Sequence, residues 1–285
     1  MPLEIQFAVL RPDETKVFTF SGPIAQRMVG ISQFELAFSK DDHHVQRTSI
    51  SLSVNQQGNT LSVNPHASMV DAGGRNLDAG KSSVTVVAVA WVGIDNPSVR
   101  FANVGGIVDN GASAPQAVPC NSPLVLQSLL AGFDLSFGKD DHHMETALAS
   151  VGNQLNGNSS VVTGLAKMSD ASGNNASTAT VDGGLVASCD RSLRMVVMAS
   201  NSLQFGAQTL QFPADVSRFV SLLTGFKVQF KNEHDHHVKT FKASFQVDKI
   251  QDHAVTVVGS AGLSDGSGNE QDNTISNVTG VVIGY

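Results

Sequence analysis

Charged residues are scarce in this chain, and the basic ones are not clustered. Only 15% of the 285 residues are charged, and 18 basic residues stand against 25 acidic ones, which gives a net charge of −7. A protein that binds nucleic acid or an anionic membrane surface usually carries a stripe of Lys and Arg. We therefore expect no nucleic-acid partner.

Long apolar runs are also missing. No stretch stays apolar over the roughly 20 residues that a membrane-spanning helix requires, so we expect no membrane span. The first residues, Met1 to Gln6, lack the basic patch, the apolar stretch and the cleavage site of a secretory signal. We expect synthesis in the cytoplasm, and non-classical release is the alternative that this pattern leaves open.

Cysteine and the larger aromatic residues are nearly absent. One Trp and one Tyr leave little surface for stacking on sugars. The two cysteines, Cys120 and Cys189, occupy non-equivalent places in the repeats described below, which excludes a repeated disulfide framework. We expect two reduced thiols, with a Cys120–Cys189 bridge as the alternative.

Sequence motifs of common enzymes are missing as well. The chain has no nucleophile elbow, no HExxH pair, no Walker loop and no dinucleotide fingerprint. We therefore predict that the protein is not an enzyme.

What the chain does contain is a repeat. The tripeptide Asp-His-His occurs three times, at Asp42-His43-His44, Asp141-His142-His143 and Asp235-His236-His237, and each copy follows a Phe-x-hydrophobic-x-Phe segment. A second landmark, which begins at Met69, Met168 and Leu263 and ends in Asp two residues later, has nearly the same spacing. A third of the chain is about the size of one small β-sandwich. We predict three repeats, at residues 1–95, 96–190 and 191–285.

Each repeat alternates apolar and polar residues in the manner of β-strands. In the segments 34–38, 133–137 and 226–230 both Phe residues and the central Leu or Val lie on one face of an extended chain. A second alternating run follows the histidines, and we expect the two runs to pair as a hairpin with the histidines in its turn. The apolar segments 24–29, 123–130 and 216–223, which precede the Phe strands, fit short helices or strands. The prediction is an all-β fold of three tandem antiparallel β-sandwich repeats, arranged with pseudo-threefold symmetry.

The order of elements resembles that of the H-type lectin domain. The resemblance rests on an aromatic strand, a turn that leads into a Val strand, and a final strand that ends in Trp91-Val92-Gly93, with Val282-Ile283-Gly284 as a weaker counterpart. Asp-His-His stands where that family has prolines in the turn. The resemblance implies a six-stranded antiparallel sandwich and trimeric assembly, so that three copies in one chain would form a covalent pseudo-trimer. It carries over no sugar-contacting residue.

The repeated histidines are the candidate site. A neutral imidazole is the most common transition-metal ligand in proteins, and a nearby carboxylate can ligate the ion or orient the ring. Adjacent residues of a strand point to opposite faces, so one tripeptide makes a poor site, whereas three copies around an axis would form a cluster suited to Zn, Ni or Fe. The candidate metal ligands are His43, His44, His142, His143, His236, His237, Asp42, Asp141 and Asp235. Two alternatives stay open, namely imidazoles that only pack in a hairpin or between repeats, and direct contact with a sugar or an anion.

Gly-rich loops with an Asp at the start form a second repeated feature. They begin at Asp71, Asp170 and Asp265. Their spacing does not match an EF-hand, and no Glu closes the loop at the position that calcium binding requires. We expect ordinary turns, with ligand-binding loop tips as the alternative.

Two classes of function fit this sequence. The first is a non-catalytic, lectin-like binding protein that recognises glycans or a surface partner through three similar sites. The second is a structural, assembly or toxin-complex component in which a histidine cluster holds the three repeats together, with self-assembly into larger particles. The sequence names no ligand for either class.

Overall fold

The protein is built from β-strands. The computed structural model describes residues 2–190, 196–203, 206–213, 216, 218–231 and 234–284, and within them the chain forms 18 strands and no α-helix, which confirms the predicted all-β class. None of these residues belongs to a helix that could span a membrane. The first third of the chain contributes β1 Leu3–Leu10, β2 Lys16–Thr19, β3 Ile24–Ala37, β4 Arg47–Gln57, β5 Thr60–Val70 and β6 Ser83–Val92. The second contributes β7 Val99–Val108, β8 Gln116–Ala117, β9 Val125–Ser136, β10 Thr146–Asn156, β11 Ser159–Ser169 and β12 Thr178–Ser188. The last contributes β13 Val196–Leu203, β14 Gly206–Gln211, β15 Phe219–Gln229, β16 Thr240–Gln251, β17 Ala254–Ser264 and β18 Asn277–Gly284.

The alternation in the sequence accounts for the strands. In β16, Phe241, Ala243 and Phe245 are buried while Lys242 and Gln246 are exposed, as a sheet with one face on the core requires. The strand β6 is a continuous apolar run instead, and it is buried on both faces. The segments for which both helix and strand were expected contain the starts of strands, since β3 begins at Ile24, β9 at Val125 and β15 at Phe219. These strands run without a break into the Phe segments.

The strands form three antiparallel sheets of six strands each. The strand orders are β1-β6-β3-β16-β17-β14, β13-β18-β15-β10-β11-β8 and β2-β5-β4-β9-β12-β7. Each sheet therefore joins three strands from one third of the chain to three strands from another third. The boundary predicted at residue 95 falls between β6 and β7, whereas residue 191, where the third repeat was predicted to begin, lies outside the described residues.

The predicted hairpin between the Phe strand and the run after the histidines is wrong. The strand β3 pairs with β6 and β16, while β4 pairs with β5 and β9, so the connection between β3 and β4 passes from one sheet to another. The hairpins lie one strand later, as in β4–β5 and β10–β11, where Gly58 and Gly157 take the positive φ that the two-residue turns need. The alternation of a strand specifies which of its faces is buried, but it does not specify which strand pairs with its edge. An equivalent strand elsewhere in the chain can therefore take the partner's place.

A cluster of aromatic side chains lies where the three sheets meet. It consists of Phe34, Phe133, Phe226 and Phe241, whose ring centroids lie 5.1 to 6.0 Å apart. Phe241 comes four residues after His237, the last residue of the third Asp-His-His segment. The residues four positions after the other two segments are Thr48 and Ala147, which are smaller and fully buried. One large and two small residues therefore share this part of the core, as close packing demands.

The prediction of two reduced thiols is also wrong. Cys120 and Cys189 form a disulfide, with their Cα atoms 6.2 Å apart. Antiparallel pairing explains the proximity, because Val125 at the start of β9 lies opposite Ser188 at the end of β12. The sequence did not reveal this pairing, since the two cysteines are 69 residues apart and flank strands, β9 and β12, whose partnership becomes visible only in the fold.

Candidate metal centre

The three Asp-His-His segments contact one another directly. They lie between β3 and β4, between β9 and β10, and between β15 and β16. Short antiparallel bridges join His43 to Val238, Val45 to His142, and Met144 to His236, each through two backbone hydrogen bonds of 2.8 to 3.2 Å. Each segment is thus bonded to both of the others, because every one pairs through its central histidine on one side and through the residue after its last histidine on the other.

The last histidine of each segment points into a common cluster. The ring centroids lie 4.4 Å apart for His44 and His143, 4.6 Å for His44 and His237, and 4.7 Å for His143 and His237. One ring nitrogen from each residue lies within 4.8 Å of those from the other two. We call His44, His143 and His237 the histidine triad. It unites three of the six histidines that the sequence proposed as ligands.

Each triad imidazole has a carboxylate partner from a different segment. The Nδ1 atom lies 3.3 Å from Asp141 Oδ1 in His44, 3.5 Å from Asp235 Oδ1 in His143, and 3.7 Å from Asp42 Oδ1 in His237. A carboxylate at Nδ1 favours the tautomer that carries its proton there, and it leaves the Nε2 lone pair free for a metal. The three aspartates of the predicted ligand set therefore lie where they can orient the ligands rather than bind an ion themselves.

These carboxylates also fix the neighbouring loops. Asp141 Oδ2 accepts a hydrogen bond of 3.1 Å from the backbone N–H of Ala72, and Asp42 Oδ2 accepts one of 2.9 Å from Gly266. The bond from Gly266 is the main reason that the pKa of Asp42 lies below its ordinary value; desolvation opposes it, and the charge of His237 lowers the pKa further. Asp42 is therefore ionised over a wider pH range than a free aspartate.

The imidazoles of the triad influence one another. Burial lowers the pKa of His143, the positive charges that His44 and His237 can carry lower it further, and Asp235 opposes both effects. The neutral form of His143 is thus favoured. That form of His143 has the lone pair that a metal requires.

The other three candidate histidines do not join the triad. His43, His142 and His236 pack against Phe rings, with centroids 4.7 to 4.9 Å apart. Their Nδ1 atoms lie 3.7, 3.1 and 3.4 Å from carboxylate oxygens of the Gly-rich loops. The side chains of this outer set therefore pack within their own repeats, each between a Phe ring and a loop carboxylate of the same third of the chain.

The carboxylates at the start of the Gly-rich loops are the site residues that sequence reasoning missed. Asp170 shows the pattern: its Oδ1 accepts from the Asn174 backbone at 2.8 Å and its Oδ2 accepts from the Asn174 side chain at 2.6 Å. Burial would raise the pKa of Asp170, yet these bonds and the charge of His142 bring it below the ordinary value. The signal was in the sequence, because these aspartates recur with the same period as the histidines. The loops form ordinary turns around their own aspartates, as expected.

The triad has the composition of a transition-metal site. Three imidazoles are a known ligand set for zinc, and a fourth position would remain open because the triad side chains are 39 to 41% exposed. Zn–N bonds of 2.0 to 2.1 Å place tetrahedral ligand nitrogens about 3.3 Å apart. The nitrogens would therefore need to approach one another by no more than about 1.5 Å.

Comparison with known proteins assigns the chain to no family. No family model, no curated protein and no solved structure matches this chain. The resemblance to H-type lectins stays a prediction, and the function must be argued from the site.

Proposed function

We propose that this protein is a non-catalytic binding protein built as a single-chain pseudo-trimer, in which His44, His143 and His237 hold one transition-metal ion. The observation that carries the proposal is the convergence of three equivalent imidazoles, each with a carboxylate at Nδ1. A single histidine beside a carboxylate is ordinary, but three such histidines whose ring nitrogens lie within 4.8 Å of one another have the composition of a metal site.

The strand topology supports the pseudo-threefold part of the proposal. In every sheet, the third strand of one repeat lies beside the fourth strand of another, at the junctions β3–β16, β9–β4 and β15–β10. These junctions link the first repeat to the third, the second to the first, and the third to the second, so they close a cycle. A cycle of three like contacts is the arrangement of a trimer with heterologous interfaces.

A bound ion would connect all three sheets. Each triad histidine comes shortly before β4, β10 or β16, and those strands belong to three different sheets. An ion that binds the folded chain and not the unfolded chain stabilises the fold by mass action. The proposed role of the metal is therefore structural, namely to stabilise the junction of the three sheets. Zinc is favoured because neutral nitrogen ligands suit Zn²⁺ and because Zn²⁺ has no redox chemistry. Nickel and iron are the competing ions.

The binding partner of the scaffold is a separate question. Recognition of a glycan or of a protein surface stays a prediction, as does the absence of enzymatic activity. The disulfide between Cys120 and Cys189 supports a working environment that is oxidising, such as the cell exterior.

Metal titration of untagged protein tests the proposal. After chelation and buffer exchange, the chain should bind one Zn²⁺, and Co²⁺ in its place should give the visible absorption of a tetrahedral site. His143→Ala should abolish binding. His66→Ala is the matched control, because His66 also pairs with an aspartate, Asp13, at 2.6 Å but lies outside the triad.

Two results would contradict the metal proposal. One is the absence of stoichiometric binding of zinc, nickel and iron to the wild-type chain. The other is an equal loss of binding in the His66 variant, which would place the ion elsewhere.

A further inference from the structure

A groove outside the histidine segments combines charge with an apolar wall. It has a volume of about 280 Å³ and lies between β3 of one sheet and the strands β4, β9, β12 and β7 of another. Its apolar lining includes Val29, Leu52 and Val54, and its charged residues are Arg27 and Asp182.

Arg27 enters this groove without an acidic partner. Its side chain is half-buried, and within the described part of the chain it makes no ion pair and donates no hydrogen bond. Burial lowers the pKa of Arg27, which reflects the cost of withdrawing an uncompensated guanidinium from water. A cation held in this way can gain from an anion supplied by a ligand.

Asp182 presents one free oxygen to the same groove. Its Oδ1 accepts a hydrogen bond of 2.8 Å from the backbone N–H of Gly106, whereas Oδ2 accepts none within the described residues. Two glycines make room for the carboxylate, because a Cβ at Gly105 would lie 2.8 Å from Oδ1 and a Cβ at Gly132 would lie 3.1 Å from Oδ2. Asp182 is thus an acceptor in a fixed position.

The remaining amide of the groove is already used. Asn103 accepts from the backbone N–H of Val29 at 3.1 Å and donates to the carbonyl of the same residue at 2.8 Å. Asn103 therefore ties β7 to β3 and shapes the groove. Arg27 and Asp182 are left as the polar groups free to meet a ligand.

The matching groove elsewhere in the fold has a different chemistry. It lies at the corresponding junction of β15 and β16 with β1, β3 and β6, with a volume of about 270 Å³. Phe219 stands there in place of Arg27, since both come seven residues before the first Phe of their Phe segment. Phe7 replaces Asn103, and Thr85 replaces Asp182. The charged pair is therefore a feature of one groove and is not required by the fold.

We propose that the groove of Arg27 and Asp182 binds a small hydroxylated carboxylic acid of the sugar-acid class. The ligand carboxylate would pair with Arg27, a ligand hydroxyl would donate to Asp182 Oδ2, and the C–H face would pack on Leu52 and Val54. A bare inorganic anion could pair with Arg27 but has no proton to donate to Asp182 Oδ2. An acid that also carries a hydroxyl offers a partner to each of the two groups.

Calorimetric titration with galacturonate and with galactose tests this proposal on the full chain. We expect galacturonate to bind one site and galactose to bind at least about tenfold more weakly, because a charge-assisted hydrogen bond is lost. Arg27→Met and Asp182→Asn should each weaken galacturonate binding about tenfold to a hundredfold. Arg100→Met is the control, because Arg100 is an exposed arginine on β7 outside the groove, and this variant should bind as the wild type does.

Several outcomes would overturn the assignment. They are equal binding of the acid and the neutral sugar, preference for phosphate or an amino acid, no binding of galacturonate, and an Arg100 variant as weak as the Arg27 variant. Asp182→Asn serves as the second probe if Arg27→Met does not fold. The titration is run on chelated and on zinc-loaded protein, so failure of the groove leaves the metal result standing, and failure of the metal leaves the groove testable.

Discussion

Replacement of Asp141 by Asn should weaken metal binding at the histidine triad. Asp141 Oδ1 lies 3.3 Å from His44 Nδ1, and Oδ2 accepts from the Ala72 backbone at 3.1 Å, so the carboxylate orients a ligand and anchors a loop together. The amide keeps the shape but loses the charge and one acceptor. Loss of such an orienting group typically costs 10- to 100-fold in metal affinity. One ligand of three is affected, so we expect about tenfold, equivalent to about 1.4 kcal/mol.

A competition titration against a chromophoric chelator measures this change. Asp140→Asn is the matched control, since it removes the same charge one residue away from an exposed side chain. Unfolding of both apo variants should be compared as well, because the loop contact to Ala72 contributes to stability. Equal weakening by the two variants would show that general electrostatics, and not orientation of His44, sets the affinity. An unchanged affinity in Asp141→Asn would refute the orienting role itself.

Three further predictions concern the fold. Phe34→Ala should lower the free energy of unfolding by about 3 to 5 kcal/mol in denaturant titrations, because Phe34 is fully buried among three other Phe rings. Phe7→Ala should change the free energy of unfolding by no more than about 0.5 kcal/mol, because Phe7 is 67% exposed. Equal effects of the two variants would contradict the packing described. Residues 1–95 alone should not fold as a monomer, since β3 and β4 both lose a partner strand; a cooperative monomeric unfolding transition would contradict this. The free energy of unfolding should fall as the pH drops below about 4, because loop carboxyls such as Asp265 have lowered pKa values in the folded state. The stability that these carboxyls contribute is fully present above their pKa in the unfolded chain, and it is lost as the pH falls through their pKa in the folded protein. A free energy of unfolding that stays constant from pH 5 to 2 would refute this.

The sequence predicted the local elements well. Period-two alternation identified the Phe strands and the runs after the histidines, because a half-buried strand requires that pattern whatever its neighbours are. The recurrence of Asp-His-His and of the loop aspartates identified matching positions in each third of the chain. It also narrowed the ligand candidates to a small set, since few other residues with metal-binding side chains recur.

Pairings between distant segments could not be read from the sequence. Cys120 and Cys189 are joined because β9 and β12 are neighbours, and no local pattern states this partnership. The prediction of a hairpin at the histidines was wrong for the same reason, because no local pattern shows that the strands before and after the histidines pair with other strands. The sequence did not point to Arg27 and Asp182 either, because neither recurs in the other repeats. The two residues line the same groove only because two sheets pack against each other.

By itself, the sequence determined that this protein is a β-structure with a histidine-bearing segment repeated three times. Only the tertiary structure decided which histidines converge. His43 and His44 are adjacent and chemically identical, yet one packs on Phe38 against its loop carboxylate and the other meets His143 and His237. The physical reason is that the direction of a side chain on an extended segment depends on which backbone that segment pairs with, and here the partners come from the other two thirds of the chain.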